Sequence, residues 1–211
     1  MEEIRKELIE KIGQLYQRYG IKSVTMDDIA GELGISKKTL YKYFIDKADL
    51  VKKIVLHSID EQKECFCQIA DKKYNSIEIL YEISKYVSKL LNNMNPSTTF
   101  DLKKYYPEAW KLLIEHKKNH IFNSIKLNIQ KGINEGLYRA DLKIDLIATI
   151  YVSRTEKVLN VEEYNGETKY SSSEIFEEML KYHIRGIATP KGLKYYEDIL
   201  FKEKNKKSKI N

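Results

Sequence analysis

The sequence predicts an all-α fold: an N-terminal three-helix head built on a helix-turn-helix, followed by a larger C-terminal helical body. Three observations predict it. Only three prolines and nine glycines interrupt 211 residues, apolar side chains recur three and four positions apart through most of the chain, and several of these runs open on a capping residue. A chain of this length buries a real core, as one large domain or as a small one plus a larger one.

The first helix is read from Ile4, Leu8, Ile12, Leu15, Tyr16 and Tyr19, which share one face, and Gly20 ends it. The second opens at Thr25, with Asp28 at the spacing of a capping box and Val24 and Ile29 at that of a hydrophobic staple. Ile29, Ala30 and Leu33 face inward, and Gly34 stands where a left-handed cap is wanted. After a three-residue turn Ser36 caps a third helix, short enough in its connection for the two to cross steeply. Leu40 and Phe44 point back into the head, so Lys37, Lys38, Tyr41 and Lys42 face out, with Thr39 and Tyr43 on the flanks. Such a face suits a DNA major groove, since lysines neutralise phosphates or reach guanine acceptors while threonine and tyrosine contact thymine methyls or phosphate oxygens. A solvated amphipathic helix in a bundle is the plainer reading of the same pattern.

A longer helix is predicted over residues 48–70, with Leu50, Val51, Ile54, Val55, Ile59 and Phe66 inward. Another covers residues 76–94 and is broken over residues 92–99 around Pro96, with a short piece following at residues 100–106. Pro107 takes a first-turn position of a long helix that runs through Trp110, Leu113, Ile114, Ile121, Ile125, Ile129 and Ile133 to about Gly136. Two helices close the chain, at residues 144–159 and 171–188, the latter opened by a Ser171/Glu174 capping box; a polar stretch with Gly166 separates them. The lysine-rich end reads as disordered. The boundaries expected are a head at residues 1–47, a body at 48–200 and a basic tail at 201–211.

The net charge of +6 is weak evidence about partners, because the head contributes little of it and the tail much. Cys65 and Cys67 lie two apart, a poor disulfide on a helix, and read as buried or half-buried free thiols in a reducing cytoplasm. No apolar run has the length of a signal or a membrane span, so a cytoplasmic protein without a membrane partner is expected. Chemistry finds little support: no glycine-rich phosphate loop, no GxSxG elbow and no carboxylate cluster can be read from the sequence. His116 and His120 stand one turn apart, but Lys117 and Lys118 beside them repel a cation. No enzyme, cofactor or metal is expected.

The run VTMDDIAGELGISKKTLYKYFIDKADL, residues 24–50, resembles the DNA-binding domain of tetracycline-repressor-like (TetR) transcriptional regulators. The resemblance passes through Thr25, Ile29, Ala30, Gly34, Ser36, Thr39, Leu40, Tyr41, Tyr43, Phe44, Lys47 and Leu50. It implies that Lys37, Lys38, Thr39, Tyr41 and Lys42 face the groove while Thr25, Tyr43 and Lys47 hold phosphates. Position 38 departs mildly, being more often a small residue in the family. The segments DLKKYYPEAW and GINEGLYRADL resemble the family's body more loosely.

By that resemblance the helix after the head links it to the body, and the body keeps a small-molecule cavity. Tyr81, Phe100, Tyr105, Tyr106, Trp110, Phe122 and Tyr151 are the aromatics that would line the cavity, or else simply fill the core. The last helix pair would form a four-helix interface with a second copy, through positions such as Leu146, Ile147, Ile150, Val158, Ile175, Met179, Tyr182, His183 and Ile187; an internal core is the competing explanation. The function implied is a ligand-responsive transcriptional regulator, a repressor that binds a two-fold double-stranded DNA operator as a homodimer and is released by a small apolar or aromatic effector. The alternatives are a small-molecule-binding protein of the same fold without specific DNA binding, or an activator.

Overall fold

A computed structural model of the chain describes residues 2–93, 95–158 and 169–207. The polar stretch around Gly166 and the last four residues of the expected tail lie outside the described residues. The chain divides into two compact units, residues 1–65 with 93–118 and residues 66–92 with 119–211. The described residues form helices, with one isolated antiparallel bridge between Tyr138 and Ala188.

The first unit begins with α1 (Glu2–Tyr19), α2 (Met26–Glu32) and α3 (Lys37–Leu40). Leu8, Ile12 and Tyr16 of α1 meet Ile29 and Ala30 of α2 and Leu40 in one core, whereas Ile4 and Tyr19 at the ends of the expected stripe are exposed. Gly20, with φ 82°, stops α1 in the left-handed conformation that glycine adopts without a Cβ clash. The core does not stop at residue 47. Val51, Val55 and Ile59 of α4 (Lys47–Ala70), Leu102 of α6 (Pro96–Tyr105) and Ala109 of α7 (Pro107–His116) bury into it as well. The compact unit is therefore larger than the expected head. Asp101 accepts the Lys22 N–H at 2.7 Å, fastening α6 to the turn after α1.

α6 itself departs from expectation. Residues 92–99 were predicted as a break, yet Asn95 accepts the Ser97 N–H at 3.0 Å and caps a helix in which Pro96 holds the first turn. An asparagine followed by proline is a start signal as much as a stop signal, and here the start prevails.

The second unit contains most of α5 (Ser76–Asn93), then α8 (Phe122–Asn134), α9 (Ile144–Val158), α10 (Ser172–Ile187) and α11 (Pro190–Lys207). Its core gathers Ile77, Leu80, Ile129, Tyr138, Ala148, Leu180, Ile184 and Tyr196. Ser171 and Glu174 form the expected capping box, reciprocally bonded at 2.7 and 3.2 Å. The long helix expected from Pro107 to Gly136 is instead α7 and α8, joined by five residues of π-helix at Lys117–Ile121, a widening that apolar spacing does not signal. Helix α11 was not expected. Pro190 opens it, Leu193 and Tyr196 bury one side of it, and it continues through residues 201–207 of the supposedly disordered tail. Among the described residues no helix is long and apolar enough to cross a membrane.

Candidate nucleic-acid interface

The geometry of the helix-turn-helix follows from its caps. Thr25 gives both its backbone N–H and its hydroxyl to the Asp28 carboxylate, at 2.8 and 2.6 Å, and accepts the Asp28 N–H at 3.1 Å. The capping box is complete. Gly34 turns the chain at φ 64°, and Ile35 N–H donates to the Ala30 carbonyl at 3.0 Å. Ser36 then accepts the Thr39 N–H at 3.0 Å and starts α3. That helix holds one regular turn, which tightens through Lys42 and Tyr43 N–H bonds to the Thr39 and Leu40 carbonyls.

Leu40 and Phe44 are almost wholly buried, 0% and 1% exposed, and they anchor the back of the element. Its front is wet: Lys37, Lys38, Tyr41 and Lys42 are exposed, and Thr39 and Tyr43 are half-buried. The lysines are not equivalent. Lys37 Nζ bonds Asp27 at 2.9 Å, and that carboxylate pushes the ammonium pKa up. Lys38 and Lys42 have no ion pair or side-chain hydrogen bond among the described residues.

The three residues expected at phosphates are each held by the fold. Thr25 has committed its hydroxyl hydrogen to Asp28, so a phosphate contact requires that hydroxyl to turn. Tyr43 is half-buried beside Phe44, and its carbonyl takes Lys53 Nζ at 3.3 Å. Lys47 is half-buried, with Nζ 3.3 Å from the Lys22 carbonyl and 5.9 Å from the Tyr16 ring centre. Burial pushes its pKa down, against the pull of Asp101 and Asp28.

The seven aromatics expected at a cavity are divided between the units. Phe100, Tyr105, Tyr106 and Trp110 belong to the first, where Tyr106 and Trp110 pack on the core beneath the helix-turn-helix and Tyr105 accepts a 3.0 Å bond from Lys22. Tyr81, Phe122 and Tyr151 belong to the second. A groove of about 210 Å³ between α5 and α11 is lined by Tyr74, Tyr81 and Tyr195 together with Glu78, Glu82 and Asp198. Burial, reinforced by Glu203 and Glu82, pushes the Tyr81 pKa up to about 12.

A second groove, of about 140 Å³, runs between α9 and α10 and is lined by Ile147, Ile150, Tyr151, Met179, Tyr182 and His183. The apolar positions expected at an intersubunit face split there. Val158 and Ile187 turn inward, whereas Leu146, Ile150 and Tyr182 are 54%, 43% and 73% exposed. His183 packs against Tyr151 with ring centres 4.7 Å apart and the rings tilted by 58°, and its Nε2 is shielded from solvent without a hydrogen bond among the described residues. His116, by contrast, is buried and bonded to Gln62 at 3.0 Å. Cys67 is exposed and Cys65 half-buried, so the expectation of two sheltered thiols holds for one of them. Asp27 was missed by sequence reasoning: ten positions from Lys37, it carries no signal until the turn brings the two together.

Residues 8–54 match the profile of the family described as bacterial regulatory proteins, tetR family. The chain is 26% identical over 185 residues to the HTH-type transcriptional regulator YvaF of Bacillus subtilis, covering 86% of this chain and 94% of that one. It is 25% identical over 150 residues to the HTH-type transcriptional repressor KstR2 of Mycobacterium tuberculosis, covering 68% and 73%. The fold is similar to that of a transcriptional regulator from Cytophaga hutchinsonii, with a TM-score of 0.70, 22% identity and coverage of 87% and 98%.

Proposed function

The chain belongs to the TetR family of bacterial regulatory proteins, and on that premise we propose that it is a ligand-responsive transcriptional repressor that binds a two-fold DNA operator as a homodimer. One observation carries the reading. Leu40 and Phe44 bury the back of α3 and of the turn that follows it, while Lys38, Tyr41 and Lys42 stand exposed on the front, the arrangement a major-groove reader needs. Lys38 and Lys42 meet phosphates or guanine edges, Tyr41 meets a thymine methyl or a phosphate, and Lys37 joins them when it leaves Asp27. Thr25, Thr39, Tyr43 and Lys47 flank this face; a residue already held in place loses little conformational entropy on binding.

The second copy docks on the α9–α10 face, where Leu146, Ile150 and Tyr182 are exposed. Two heads then read half-sites one helical turn or a multiple apart. An effector bound by the second unit, with Tyr81, Phe122 or Tyr151 among its contacts, favours a state whose head spacing misfits the operator. The α5–α11 groove, lined by tyrosines and carboxylates with Ile199 and Lys202, offers ring faces and polar groups that suit an aromatic effector better than a purely apolar one.

Selection of genomic fragments by the purified protein tests this reading, followed by affinity measured against salt. Two free lysines per head predict a log–log slope of about −4 for the dimer, and four predict about −7. Recovery of no common sequence, or a flat salt response, overturns it. Lys42→Ala changes the preference among operators if Lys42 reads a base, and weakens all of them alike if it touches phosphate.

A further inference from the structure

We propose that Glu10, His57 and Glu61 form a site for a divalent first-row transition-metal ion that clasps α1 to α4 within the first unit. His57 and Glu61 lie one turn apart on α4 and so share a face, and Glu10 reaches them from α1. The His57 Nε2 stands 3.6 Å from Glu10 Oε1 and 3.5 Å from Glu61 Oε1, and the three donor atoms all lie within 4.8 Å of one another.

These separations are too long for hydrogen bonds, which close at about 2.7–3.2 Å. They are close to what two donors of one tetrahedral ion show: bonds of about 2.0–2.2 Å place neighbouring donors about 3.4 Å apart. The ring nitrogen supports the same conclusion. Nε2 of His57 is shut off from solvent and has no hydrogen-bond partner among the described residues, an expensive state for a polar atom that a metal bond would relieve. The two carboxylates are partly open, with side chains 44% and 55% exposed, so an ion has a path in.

Three lysines close by in the sequence are engaged by other carboxylates. Lys11 is paired with Glu7, Lys53 with Asp49 and Lys52 with Glu108. Two carboxylates neutralise a doubly charged ion, and one imidazole among them favours zinc, manganese or iron over magnesium or calcium. The remaining coordination position is left to water. Its residues belong to α1 and α4, not to α3, and the grouping was not expected from the sequence.

The test is calorimetric titration of the metal-stripped, full-length protein with Zn²⁺, alongside the visible spectrum of its Co²⁺ form. We expect one ion per chain, a Tm that rises with Zn²⁺, and an intense tetrahedral Co²⁺ band. Glu10→Gln, Glu61→Gln and His57→Gln should each weaken binding at least tenfold, with circular dichroism confirming that the variants fold. Absence of Zn²⁺ binding overturns the proposal, as does binding that these substitutions leave unchanged, which would place the ion elsewhere on the chain. If Glu10→Gln lowers the Tm of metal-free protein while Zn²⁺ gives no heat, the three side chains join the helices without a metal and the proposal fails.

Discussion

Asp27 controls how much of the positive charge on the proposed reading face is available. Its carboxylate holds Lys37 at 2.9 Å on an open surface, where such a pair contributes about 0–1 kcal/mol and exchanges readily for a phosphate. Asp27→Asn should free Lys37 and remove an anion from beside the DNA backbone. The expected result is tighter operator binding and a log–log salt slope steeper by about 2 for a dimer, one lysine from each head. Anisotropy titrations at several salt concentrations measure it, and an unchanged slope would mean that Lys37 meets no phosphate. Much of the site at this scale was legible in the sequence, because inward Leu40 and Phe44 dictate which neighbours point out. Asp27 was not legible, and neither was Glu10. Each meets its partner through the packing of two separate helices, whereas His57 and Glu61, four apart on one helix, could be paired from spacing alone.

Among the elements, α8 and the turn after it show how one absent side chain sets a packing. Gly132 lies against the Tyr138 ring, and a Cβ there would stand 2.0 Å from Cδ2. That ring is fully buried, and its hydroxyl donates to Asn128, which in turn bonds the Ser76 carbonyl at 2.8 Å. Glycine to alanine in a helix interior ordinarily gains about 1 kcal/mol. Gly132→Ala should instead lose about 3 kcal/mol, the upper end of overpacking costs, as denaturant unfolding will show. A neutral or stabilising result would mean that Tyr138 can move aside at little cost.

A second prediction concerns α10. Burial pushes the His183 pKa down from 6.5 to about 4, so between those values the unfolded chain takes up a proton that the folded chain refuses. Stability present above about pH 6.5 is therefore lost as pH falls toward 4, by about 3 kcal/mol in all. His183→Gln should flatten that part of the Tm–pH curve, and parallel curves would remove His183 from the account. The elements themselves were legible wherever a cap and a period coincide, as at Thr25 and Ser171. They were illegible where those signals conflict or are absent. Asn95 and Pro96 read equally as a stop, the π-helical turn at Lys117–Ile121 leaves the apolar period without a mark, and the lysines of α11 mask its one buried side.

For the whole molecule, the question is what covers the outer side of α9 and α10. The apolar positions read from the sequence included both inward and outward members, because periodicity reports a stripe and not what lies against it. The structure separates them, leaving Tyr182 73%, Leu146 54% and Ile150 43% exposed beside a groove. A patch of large apolar side chains without an internal partner is the mark of an interface. Tyr182→Glu places a charge at its centre and should convert a dimer into a monomer in sedimentation while leaving the helical content intact. Operator binding should fall with it, and by more than any phosphate contact could explain. When two heads are joined, the second binds at an effective concentration set by their tether, a gain of about 10²–10⁴ in affinity that a monomer forfeits. The same variant should bind an isolated half-site as well as the wild type does, because nothing on α3 has changed. Loss at the full operator with retention at the half-site assigns this face to dimerisation, whereas a Tyr182→Glu protein that remains dimeric places the interface elsewhere.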